Sequence, residues 1–78
     1  MSQTILDLKG LKCPLPALRT RKALAPLTPG DVILVQCTDP LAAIDIPNLV
    51  RETRDTLLDK SAGEDCLTFR IRREARSI

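Results

Sequence analysis

Two short aliphatic runs, each followed by a proline-marked helix start, leave this 78-residue chain few folds to choose from. Thr4 to Lys9 reads as a strand, with Leu6 and Leu8 on one face and Asp7 between them. Gly10 breaks it, and Cys13-Pro14-Leu15-Pro16 opens a helix. Val32-Ile33-Leu34-Val35 is an unbroken, β-branched-rich run that suits an interior strand better than an edge. Asp39-Pro40 restarts helical geometry as a cap followed by a first-turn proline, and Asp45-Ile46-Pro47 repeats the signal at once. Strand thus alternates with helix twice.

The first helix carries Ala17, Thr20, Leu24 and Leu27 at intervals of three and four, a narrow apolar stripe. It should stop near Ala25, because Pro26 has no N–H and crowds the preceding turn. Thr28-Pro29-Gly30-Asp31 reads as a type II turn, with Gly30 supplying the positive φ. The doubled signal further on predicts one turn, an adjustment, then a helix with the stripe Ile46, Leu49, Val50, Thr53 and Leu57. Two strands close the chain, about Leu57 to Ser61 and Leu67 to Arg73, joined at Ala62-Gly63-Glu64-Asp65. In the last, Leu67, Phe69 and Ile71 alternate with Thr68, Arg70 and Arg72. The order βαβαββ implies parallel pairing through right-handed crossovers, then an antiparallel hairpin. Two helices can cover only one face of four strands. The expected fold is an α/β two-layer sandwich, a mixed four-stranded sheet with both helices on one face, and residues 1–78 as a single domain.

Composition removes several functions. Histidine is absent, and with it the usual general base and the commonest metal ligand. Phe69 is the sole aromatic residue, which gives no platform for stacking bases. The net charge of +2 neither demands nor excludes a polyanionic partner. No signal peptide and no membrane-length apolar run is visible, so a cytoplasmic location without membrane insertion is expected. Cys13, Cys37 and Cys66 are odd in number and form no CxxC pair. Reduced thiols, no metal site and no cofactor are the expectation.

Cys-Pro-x-Pro is the feature that carries chemistry. Pro14 disfavours αR geometry at Cys13, which suits an N-cap, and Pro14 then occupies N1 at no cost. The amides of Leu15 and Ala17 should be left free to face the Cys13 sulfur. A helix N-terminus first, with Lys12 and Lys9 as screened additions, would favour an anionic sulfur, so a thiol pKa below the free-cysteine value is expected. Cys37 is in phase with Ile33 and Val35 and reads as a packed thiol; Cys66 opens a strand after a polar turn and reads as half-exposed.

The stretch Leu6-Asp7-Leu8-Lys9-Gly10-Leu11-Lys12-Cys13-Pro14-Leu15-Pro16 resembles the opening of the TusA/SirA-type sulfur-carrier family. Pro29-Gly30-Asp31, Asp39-Pro40 and Asp45-Ile46-Pro47 follow in that family's order. The resemblance covers about Thr4 to Arg73. It implies a βαβαββ sandwich similar to the C-terminal domain of translation initiation factor 3. It implies, too, a sulfur carrier that holds sulfane sulfur as a persulfide on Cys13, with Pro14, Leu15, Pro16 and Ala17 as the supporting motif. Sulfur would come from a cysteine desulfurase or a rhodanese-like sulfurtransferase. It would pass to an acceptor protein in tRNA thiolation, molybdenum-cofactor or sulfur-oxidation pathways, the protein acting as a carrier more than as a freestanding enzyme.

Lys9, Lys12, Arg19 and Lys22 flank the loop and first helix and form a candidate docking rim for acidic partner surfaces. A monomer is expected, since no apolar stripe announces a stable dimer. Two other readings stand beside the carrier. One is a thiol-based regulatory or redox protein with Cys13 as sensor, which the lack of a resolving cysteine disfavours. The other is a nucleic-acid-binding module, suggested by Arg70, Arg72, Arg73 and Arg76 and by fold analogy, a weak warrant.

Overall fold

Alternation of period-two and helical stretches builds six elements in the computed structural model, which describes residues 3–75. They are β1 (Gln3–Leu8), α1 (Leu15–Leu24), β2 (Val32–Cys37), α2 (Ala42–Thr53), β3 (Thr56–Ala62) and β4 (Leu67–Arg72). The sheet order is β1-β2-β4-β3. β1 pairs parallel to β2, with Leu8 opposite Cys37, and β4 lies antiparallel between β2 and β3. The unbroken aliphatic run of β2 therefore occupies an interior position, flanked on both sides.

One face of the sheet is the core. Leu8, Ile33, Val35, Cys37, Phe69 and Ile71 project from it into a cluster completed by Leu24 of α1 and by Ala42, Ile46 and Val50 of α2. Both helices cover that face, giving the mixed two-layer sandwich that the element order implies. The other face is uncovered, with Ile5, Leu34 and Arg70 side by side across β1, β2 and β4. Gly30 at φ +96° makes the turn into β2, where the Asp31 N–H donates to the Thr28 carbonyl at 3.0 Å.

Three local readings are corrected by the structure. The buried residues of α1 are Pro16, Thr20 and Leu24, so the second motif proline belongs to the core stripe and Ala17 lies at its half-buried margin. Thr20 is fully enclosed, and its hydroxyl is satisfied by donating to the Pro16 carbonyl at 2.7 Å. In α2, Pro47 sits inside one continuous helix without restarting it. Ala42, Ile46, Leu49 and Val50 are buried at i, i+4, i+7 and i+8, and that anchored face holds the helix together despite the missing N–H. Leu57 is not on the α2 stripe; it belongs to β3. The helix stops earlier because Arg54 takes a left-handed conformation, φ +62°, and the Asp55 N–H reaches back to the Val50 carbonyl at 3.1 Å.

Candidate functional site

Parallel pairing decides what surrounds Cys13. β1 and β2 end level, so the loops that leave them meet above the sheet. Gly10, at φ +88°, turns the chain out of β1, and its N–H donates to the Thr38 hydroxyl of the second loop at 2.9 Å. The Cys13 N–H donates to the carboxylate of Asp39, which also accepts the Leu41 N–H at 3.0 Å. These two amide contacts hold the Asp39 carboxyl below the usual carboxylate range. Asp45, in the first turn of α2, comes to the same place: the exposed Cys13 thiol donates to its Oδ2 at 2.7 Å.

This arrangement overturns the helix-cap account of Cys13. The N-cap is Pro14, and the Leu15 N–H donates to the Lys12 carbonyl at 2.9 Å instead of facing the sulfur. Cys13 lies one residue outside the helix. Its thiol is pushed up from the ordinary cysteine value, first by the hydrogen bond to Asp45, then by desolvation and the charges of Asp45 and Asp39. A hydrogen bond donated by the neutral form, beside two negative charges, disfavours the thiolate. The expected downward shift is therefore reversed in sign.

The other singled-out residues divide. Cys13, Pro14, Ala17 and Leu18 line a groove between α1 and α2, facing Asp45 and Asn48. Leu15 is exposed beside it. Lys9, Arg19 and Lys22 line a second groove, between β1 and α1, with Leu11 at its side. Lys12 stays apart from those three, close enough to Asp39 to help hold that carboxyl down. The structure thus does not gather the four cations into one rim around the sulfur. Of the C-terminal arginines, Arg70 pairs with Asp59 at 3.7 Å and Arg72 with Glu74 at 2.8 Å. Arg73 donates to the Leu27 carbonyl at 3.1 Å, and Arg76 lies outside the described residues.

Asp39 and Asp45 contact Cys13, and sequence reasoning placed neither of them at the site. Asp39-Pro40 and Asp45-Ile46-Pro47 both read as helix starts. The usable signal was the parallel pairing itself, which sets the loop after β2 beside the loop after β1.

The other cysteines behave as their phase predicts. Cys37 is fully buried, and burial pushes its thiol up to about 11. Cys66 is half-buried in the loop immediately before β4. In the folded protein a neutral alkylating agent should therefore label Cys13 first and leave Cys37 untouched until denaturant is added. Because the Cys13 pKa is raised, its labelling rate should climb through a midpoint above that of a free cysteine. A midpoint below that reference would mean Asp45 is not seated on the thiol in solution.

Comparison with known sequences agrees with this geometry. A family profile described as "Sulfurtransferase TusA" matches residues 4–73. A Neisseria meningitidis protein named as a candidate sulfur carrier is 45% identical over 69 residues, 88% of this chain and 93% of the relative. The Allochromatium vinosum sulfur carrier protein TusA is 34% identical over 68 residues, 87% of this chain and 90% of the relative. Sequence, fold and the exposed thiol at the head of α1 lead to one conclusion: the chain belongs to the TusA family of sulfur carriers.

Proposed function

We propose that the protein relays sulfane sulfur as a persulfide on Cys13, taking it from one protein's cysteine and giving it to another's. The observation that carries this reading is the contrast among the three thiols: Cys13 is exposed at a groove, while Cys37 is enclosed and Cys66 half-buried. A carrier needs one accessible sulfur and no resolving cysteine beside it, since a neighbouring thiol would discharge the persulfide as an internal disulfide. Exposed Leu15 and Leu18 on α1, with Leu41 and Ile44 at the start of α2, offer apolar contact for docking proteins. The groove of Lys9, Arg19 and Lys22 would steer acidic ones.

The donor on this reading is a cysteine desulfurase or another sulfurtransferase, rhodanese-like enzymes included. The acceptor serves tRNA thiolation, molybdenum-cofactor or sulfur-oxidation chemistry. The protein works as a single-domain monomer in the cytoplasm, and no helix among the described residues is long and apolar enough to cross a membrane. The internal engagement of Arg70, Arg72 and Arg73 weighs against a nucleic-acid surface on β4.

Incubation with a cysteine desulfurase and cysteine, followed by peptide mass spectrometry, tests the reading. One added sulfur on the Cys13 peptide, removed by a reducing thiol, is expected. Oxygen adducts alone would favour a redox sensor, and an unmodified Cys13 would sink the carrier.

A further inference from the structure

We propose that Asp45 is a positioning residue that holds Cys13 as a resting thiol, and that a sulfur donor releases it by presenting a cationic side chain to the Asp45 carboxylate. The inference rests on Cys13 as the sulfur-bearing residue and adds how loading is confined to the right partner.

The contact at 2.7 Å exists only while the thiol carries its proton, because a carboxylate can accept but not donate. A thiolate in the same position would face Asp45 from α2 and Asp39 from the β2–α2 loop, two like charges. Lys12, on the β1–α1 loop, acts on Asp39. Arg21 of α1, further along the groove, is engaged by Glu52 of α2 at 2.9 Å. Among the described residues no ion pair is formed by Asp45, which leaves its carboxylate open to a cation that the partner brings. Once it pairs with the carboxylate, both the hydrogen bond and the repulsion that disfavour the thiolate are relieved.

The transfer is balanced without an oxidant. The Cys13 sulfur attacks the outer sulfur of a donor persulfide R–S–SH, one S–S bond forms and one breaks, and the products are Cys13–S–SH and R–SH. The proton that leaves Cys13 ends on the departing donor sulfur. The same acidic setting would repel an anionic persulfide towards an acceptor docked on the groove.

Asp45→Asn and Asp45→Glu variants, with folding checked by circular dichroism, provide the test through three readouts. They are the pH profile of alkylation by iodoacetamide, loading from inorganic polysulfide, and loading from a cysteine desulfurase supplied with cysteine. Asp45→Asn should move the alkylation midpoint to lower pH, each unit multiplying the thiolate fraction at neutral pH about tenfold. It should also speed polysulfide loading and yet slow loading from the desulfurase, while Asp45→Glu keeps the wild-type profile. An unchanged midpoint, or an Asn variant that loads faster from both sources, would overturn the proposal. If the midpoint shifts but wild-type Cys13 takes sulfur from neither source, the restraint stands and the carrier reading falls.

Discussion

Cys13→Ser should reduce sulfur loading to the background of the assay without disturbing the fold. The serine hydroxyl can donate to Asp45 as the thiol does, and the backbone N–H to Asp39 is untouched. An exposed substitution of this kind belongs among those that change stability by no more than about 0.5 kcal/mol. Cys66→Ser and Cys37→Ala should both load normally. Alanine is the better probe at position 37, because a hydroxyl in that enclosed site would cost about 1–3 kcal/mol of its own. Mass spectrometry of loaded protein and denaturant melts of each variant separate chemistry from folding. A correctly folded Cys66 or Cys37 variant that no longer accepts sulfur would end the single-thiol mechanism.

Phe69→Ala should bring the domain close to unfolding. Phe69 is 2% exposed on β4, opposite Val35 on one side and Lys60 on the other, and it is the largest side chain in the core. Truncating a buried phenylalanine costs about 3–5 kcal/mol. Domains as a class are stable by only about 5–15 kcal/mol, and so short a chain has little core to spare. Urea denaturation should show the midpoint collapse, and Cys37, shielded in the wild type, should become open to alkylation under otherwise native conditions. A loss below about 1 kcal/mol would mean that the core is not built around β4 as described.

Local chemistry alone settled the element order, the type II turn at Gly30 and the opposite fates of Cys13 and Cys37. Period-two and helical spacing, proline and glycine are short-range signals, and each acts within a few residues of where it is written. The same signals misplaced the N-cap by one residue and misread Pro47. The continuity of α2 through Pro47 goes with the burial of the Ile46 face, a property of the assembled core. Nothing local marks Asp45, 32 residues from Cys13, as the thiol's partner. That contact exists because β1 and β2 run parallel and end level, so the loop after β1 and the start of α2 share one surface. The helix-end field that would acidify the thiol was legible in the motif. The two carboxylates that push the thiol up were placed beside it by the fold.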